Sequence, residues 1–360
     1  MHWLRMFMAL LLWVAPARAA DAPAVVVPGR AFAFPADHGA HPDFRTEWWY
    51  VTGWLKGADG RERGFQVTFF RTRPSMDPAN PSRFAPSQVL FAHAALSDPA
   101  EGRLLHGERA ARAGFGLAEA AETDADVAIR DWWLRRDADG RFRTRVATPE
   151  FGFELAFEPT QPPFLQGENG YSRKGPLAGQ ASYYYSMPHL TVTGTLRRGD
   201  EGAGEGAGEA VTGEAWLDRE WSSDYLMPGA VGWDWTGLNL DDGGALMAFR
   251  IRDRDGATLH AGGSLRRTSG EIVRFAPGDV SWTTVETWRS PRTDAVYPVA
   301  QMLRLRLPEG ERAFPLTPLF PDQELDGRSG GLPVYWEGAV RTPGGRGYLE
   351  LTGYAAPLAL

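Results

Sequence analysis

Apolar and polar residues alternate with a period of two along much of this chain. Phe65, Val67 and Phe69 alternate with Gln66 and Thr68. Phe151, Phe153, Leu155 and Phe157 share one face of the run Phe151–Glu158, and Leu alternates with Arg through Met302–Leu307. This period sends one set of side chains into a core and the other toward water, as in antiparallel sheets. Turn signals separate the runs. Lys56-Gly57-Ala58-Asp59-Gly60, Asp137-Ala138-Asp139-Gly140 and Asp253-Arg254-Asp255-Gly256 each set Asp-Gly between apolar segments. That pair marks a hairpin, because Gly takes positive φ at little cost. Helical periodicity is scarce. The Ala-rich run Glu108–Ala121 is a candidate helix interrupted by Gly114 and Gly116, and 42 Gly with 27 Pro argue against long helices elsewhere. The expectation is an all-β protein of many short antiparallel strands closed into barrels or sandwiches.

Composition narrows the class. Residues 1–20 read as a cleavable signal peptide: His2 and Arg5 give a basic start, Met6–Val14 is almost wholly apolar, and Ala17-Arg18-Ala19 is a small-x-small cleavage pattern. The mature chain is then expected to begin at Ala20 or Asp21 and to be periplasmic or secreted. The chain has no Cys, which excludes a disulfide framework, a thiolate zinc site and a lipid-modified N-terminal cysteine. The net charge is −7, and loss of Arg5 and Arg18 with the signal makes it −9. An acidic chain without a basic stripe is not built for nucleic acid. Length predicts two domains, 21–222 and 223–360. Thr-Gly recurs within apolar strands at Gly53, Gly194, Gly213, Gly237 and Gly353, which fits either two related barrels or common strand chemistry. The alternating Gly, Ala and Glu of 201–209 reads as a solvated hairpin loop.

The candidate chemistry lies in three segments that set acids among tryptophans: Glu47-Trp48-Trp49-Tyr50, Trp216-Leu217-Asp218-Arg219-Glu220-Trp221 and Trp233-Asp234-Trp235. A carboxyl held against apolar rings has a raised pKa, as a general acid requires, and ring faces attract a developing cation.

These segments, with Ala92-His93-Ala94-Ala95-Leu96-Ser97-Asp98 and Tyr183-Tyr184-Tyr185-Ser186-Met187-Pro188-His189, resemble the carotenoid 1,2-hydratases and their secreted AttH-like relatives. The resemblance implies two consecutive lipocalin-like antiparallel β-barrels and an apolar cavity between or within them. It also implies addition of water to a terminal isoprenoid double bond without any cofactor. The hydratase pattern Tyr-x-Asp-His-Asn-Trp is matched here by Asp218 and Trp221, while Trp216, Arg219 and Glu220 depart from it. The secreted relatives keep company with transporter components of the envelope, so an ABC transporter permease is a candidate partner, with peripheral membrane contact.

On this reading Asp218 donates the proton to an alkene, and Glu220 or His189 takes one from the incoming water. Trp48, Trp49, Tyr184, Trp216, Trp221, Trp233 and Trp235 line the ligand site. One of Trp48 and Trp49 packs the barrel floor, and the other faces a cavity. Trp216, Asp218 and Glu220 share one strand face, Arg219 and Trp221 the other. The competing reading of Asp218 or Glu220 is an ion pair with Arg219 that closes a barrel end. Glu47 is expected to pair with Arg45 or another Arg, and His93 reads as a core histidine. His38, His41, Asp43 and Glu47 have suggestive spacing, but no metal motif fits and no metal site is assigned. No Gly-x-Ser-x-Gly elbow is present for nucleophilic hydrolysis. Two functions stay open: a hydratase-like lyase, and a non-catalytic periplasmic carrier of a lipid-like ligand.

Overall fold

The computed structural model describes residues 22–75, 80, 82, 84–199 and 208–358. The signal segment and most of the 201–209 loop lie outside the described residues. The described residues contain β-strands and short 3-10 turns but no α-helix. The first thirteen strands are β1 (Thr46–Gly57), β2 (Glu62–Thr72), β3 (Val89–Ser97), β4 (Leu104–Arg112), β5 (Ala118–Ala120), β6 (Asp126–Ile129), β7 (Trp132–Arg136), β8 (Phe142–Ala147), β9 (Phe151–Glu158), β10 (Phe164–Leu165), β11 (Tyr171–Arg173), β12 (Ala181–Arg198) and β13 (Glu209–Ser222). They form one antiparallel sheet in the order β4-β3-β2-β1-β13-β12-β9-β8-β7-β6-β5, with β10 and β11 against β12. Its two ends curl toward each other, bringing β6 against β3 and β4 around an apolar core.

The remaining strands are β14 (Gly232–Leu240), β15 (Ala245–Arg252), β16 (Thr258–Arg266), β17 (Ile272–Phe275), β18 (Val280–Arg289), β19 (Val296–Leu307), β20 (Gly310–Pro318), β21 (Glu324–Asp326), β22 (Val334–Thr342) and β23 (Gly345–Leu351). They form a second sheet, β17-β16-β15-β14-β23-β22-β20-β19-β18, with β21 on β22 and a core of its own. The molecule is thus a tandem of two lipocalin-like barrels, as expected.

Local chemistry explains the hairpins. Gly60, Gly140 and Gly256 take φ of +74°, +91° and +82° in the three Asp-Gly turns. The helix candidate Glu108–Ala121 is instead the end of β4, a turn and β5. Gly114, Phe115 and Gly116 all have positive φ there, a reversal no helix can pass through, so the alanines end up in strands.

A third apolar cluster joins the barrels and explains why β1, β13 and β14 are buried on both faces. Along β1, Trp49, Val51 and Leu55 enter the first barrel, whereas Tyr50 and Trp54 enter the junction. Along β14, Leu238 and Leu240 enter the second barrel, and Trp235 faces the junction. β1 and β13 cross closely where their glycines fall: a Cβ on Gly53 would lie 2.4 Å from the Glu214 carbonyl oxygen, and one on Gly213 1.9 Å from that of Trp54.

Candidate functional site

Strand parity divides the Trp-Leu-Asp-Arg-Glu-Trp segment of β13. Arg219 and Trp221 point into the first barrel; Trp216, Asp218 and Glu220 point to the junction, where a cavity of about 150 Å³ lies between the barrels. Its wall is mostly apolar and partly open to solvent. Trp48, Tyr50, Phe70, Tyr184, Asp218 and Glu220 come from the first barrel; Trp233, Trp235, Phe249, Glu337 and Glu350 come from the second.

Asp218 is 3% exposed and forms no ion pair among the described residues. Its carboxyl accepts hydrogen bonds from Tyr184 Oη (2.6 Å), Ser186 Oγ (2.5 Å) and Trp216 Nε1 (2.7 Å). Trp235 Nε1 in turn donates to Tyr184 Oη at 3.0 Å, tying the cage to the second barrel. Burial outweighs the three donors and, with Glu220 nearby, pushes the Asp218 carboxyl up to about 7. Glu220 is different. Lys174 Nζ lies 2.8 Å from it, and Ser182 Oγ donates to the same oxygen. The Lys174 ammonium sits 4.9 Å from the ring centre of Tyr184 and 4.3 Å from that of Phe249.

The ion-pair alternative for Asp218 is overturned by Arg219. This guanidinium turns the other way, bonding Glu47 at 2.8 Å and the Trp48 carbonyl at 2.7 Å, and it stacks 3.9 Å from the Trp49 ring. Glu47 is also bonded by Arg71, and not by Arg45, which is exposed on the surface. Burial alone would raise the Glu47 carboxyl, but Arg219, His41 and Arg71 together hold it well below the usual range.

Three of the site residues expected from sequence fall elsewhere. His189 sits in a β12 bulge at φ +53°, with Nδ1 2.6 Å from Glu214 and Nε2 2.8 Å from the Gly244 carbonyl. The bulge turns it away from the cavity, so it cannot take a proton from water there. Trp49 is sealed in the first barrel, its Nε1 donating to the His38 carbonyl. Trp221 is sealed beside it, stacked at 3.7 Å on His41. Trp48, Tyr184, Trp233 and Trp235 do line the cavity, and Trp216 stands one layer behind, bonded to Asp218. His38 and His41 serve Tyr185, Asp37 and Glu47. Among the described residues no three metal-ligating side chains converge. His93 is fully buried, bonded to Tyr335 Oη at 2.8 Å, and its imidazole is pushed down to about 3 by burial.

Two cavity acids were missed. Glu337 is 1% exposed and its carboxyl is raised far above the usual range, by burial first and then by Glu350. Glu350 receives Trp233 Nε1 at 2.9 Å and is pushed up to about 7 by burial, with Glu220 and Asp218 adding to it. The signal was present in Tyr335-Trp336-Glu337 and Tyr348-Leu349-Glu350-Leu351, where an acid interrupts an apolar strand.

The geometry defines a class: a double lipocalin-like barrel whose junction, rather than either barrel interior, holds an acid-lined apolar cavity. The chain belongs to the AttH-like family, whose model matches residues 25–354. A protein from Nitrosomonas europaea assigned to AttH is 53% identical, over 92% of this chain and 99% of its own, with a TM-score of 0.83. Kievitone hydratase from Nectria haematococca has a TM-score of 0.66 at 15% identity, covering 94% of this chain and 95% of its own. CghA, solved with Sch210972, has a TM-score of 0.51 at 14% identity, covering 94% and 97%. At such identities these last two share the fold. No curated protein matches the chain in sequence.

Proposed function

We propose that this chain is a cofactor-independent, hydratase-like lyase that binds an apolar unsaturated molecule between its barrels and protonates it from Asp218. The observation that carries this reading is a buried carboxyl on the wall of an apolar cavity, with no cation partner among the described residues, which burial raises to about 7. A general acid works best when its pKa lies near the working pH. The Asp218 proton adds to one alkene carbon, and the other becomes a carbocation facing the rings of Trp48, Trp233 and Trp235. Water bonds to that carbon, and its surplus proton passes to Glu220, which Lys174 keeps available as a base. Solvent then returns the proton to Asp218. A cavity of this size takes roughly a benzene-sized molecule, so a small isoprenoid, or the end of a long one, is the expected occupant.

The test is incubation with myrcene in heavy-oxygen water. Wild type should yield the labelled alcohol, and Asp218→Asn should bind myrcene, read by Trp fluorescence, yet make roughly a hundredfold less product or lower still. Saturable binding without product in either protein would leave the second reading, a carrier. One observation favours it: both Asp218 oxygens are already occupied by donors. As a carrier the chain would serve an envelope ABC permease. Both readings take the mature protein to be periplasmic, which an N-terminus at Ala20 or Asp21 in envelope fractions would support.

A further inference from the structure

Two polar groups from different barrels line the cavity close to each other, and neither makes a well-formed hydrogen bond. Tyr50 on β1 is 6% exposed and Glu337 on β22 is 1% exposed, and both line the cavity. Tyr50 Oη and Glu337 Oε1 face each other without a well-aligned hydrogen bond, and neither atom has another partner among the described residues. They are close enough that Glu337 helps raise the Tyr50 phenol, after burial itself.

The back of Glu337, by contrast, is fixed. Its Oε2 accepts from Gln66 Nε2 at 2.5 Å; that nitrogen also bonds Tyr335 Oη at 3.1 Å, and Tyr335 is held by His93 at 2.8 Å. One oxygen of the acid is anchored through Gln66, Tyr335 and His93, and the other is left facing the cavity. Buried polar atoms almost always have partners, and an unmet one costs about 1–3 kcal/mol. The pair is therefore shaped for something the cavity receives.

We infer that Tyr50 and Glu337 form a docking site for a carbonyl oxygen of an otherwise apolar, uncharged ligand. This rests on the reading of the cavity as a ligand site. Burial favours the protonated form of each group. Two O–H donors then converge from opposite walls, and a carbonyl oxygen has two lone pairs to receive them and no proton of its own to place. A carboxylate or phosphate would meet Glu220 and Glu350 as well, and Lys174, the one cation lining the cavity among the described residues, is already paired with Glu220. Anionic lipids are thus excluded by charge, and plain hydrocarbons leave the two donors unmet.

Binding of three ring-sized probes to the full mature chain tests this: acetophenone, its apolar match ethylbenzene, and the anion benzoate. Acetophenone should bind at least tenfold tighter than ethylbenzene, and benzoate should not bind. Tyr50→Phe should abolish the preference for acetophenone while leaving ethylbenzene binding unchanged and without lowering the melting temperature. Glu337→Met should do the same, and it stands in if the Tyr50 variant does not fold. Equal binding of acetophenone and ethylbenzene to wild type, the result if the pair holds only a water, overturns the carbonyl site and leaves the cavity reading standing. So does a preference that survives both variants. Failure of all three probes to bind overturns the cavity reading along with it.

Discussion

The acids inside the barrels and three of those between them live under opposite rules; Glu220 alone on the cavity wall is paired, with Lys174. Glu47, in the first barrel, is clasped by Arg71 and Arg219; Asp234, in the second, is clasped by Arg250 at 2.6 Å and Arg252 at 2.8 Å, with Tyr354 adding a hydroxyl. Asp218, Glu337 and Glu350, on the shared wall, have hydrogen-bond donors but no guanidinium. Asp218 and Glu337 are buried like Glu47 and Asp234, and only Glu350 is partly exposed, so burial alone does not separate the two sets. The partner does: a buried arginine keeps an acid ionised and structural, and its absence lets burial hold the acid protonated. A carboxylate deep in a barrel is therefore no sign of chemistry by itself, and the unpaired ones mark the site.

The sharpest way to break this contrast is to remove one partner of a clasped pair. Glu47→Gln leaves two buried guanidiniums facing a neutral amide and should cost about 3–5 kcal/mol in denaturant unfolding. A loss under about 1 kcal/mol would place Glu47 with the cavity acids.

The pH dependence should separate the two sets in direction. Asp218 has a folded-state value of about 7 against 3.8 for the free group. Its protonated form is favoured by folding, so its contribution is complete below about pH 4 and is lost as pH rises to about 7. At about 1.4 kcal/mol per unit the upper bound is about 4 kcal/mol. Glu350 adds in the same direction and window. Glu47, with its value lowered, runs the other way: its contribution is present above its free value of 4.5 and is lost in acid. Asp218→Asn should flatten the stability profile between pH 4 and 7 and leave the acid limb intact. A profile unchanged by that substitution would refute the neutral-pH titration of Asp218.

Smaller effects mark the edges. His189→Gln breaks the contact with Glu214 and should cost about 1–2 kcal/mol of stability without lowering turnover; a hundredfold drop in rate would restore His189 to the site. Arg103→Ala removes a half-exposed partner of Glu150 and should change stability by under about 1 kcal/mol.

Much of this was legible in the chain. The Asp-Gly turns marked hairpins whatever the burial of their strands, and the Phe151–Glu158 alternation was legible because Glu154, Ala156 and Glu158 are at least partly exposed. Parity on β13 correctly grouped Asp218 with Trp216 and Glu220 against Arg219 and Trp221. What parity cannot say is which face meets a second barrel. β1, β13 and β14 are buried on both faces, so no polar side betrays the direction, and Trp49 and Trp221 went to the core although the same segments supply the cavity. His189 escaped because a bulge between Met187 and Leu190 breaks the period that would have placed it. Glu337 and Glu350 escaped because they lie more than a hundred residues beyond Asp218, and only closure of the second barrel brings them opposite it.

The cage around Asp218 draws its three donors, Tyr184, Ser186 and Trp216, from the first barrel alone, while Glu337 and Glu350 stand on the second. Acid and opposing wall are thus inherited on separate stretches of the gene. A change on β22 or β23 reshapes what the cavity accepts and leaves the proton donor's setting intact. A lineage built this way can explore new ligands in its C-terminal half while its N-terminal half keeps the same chemistry.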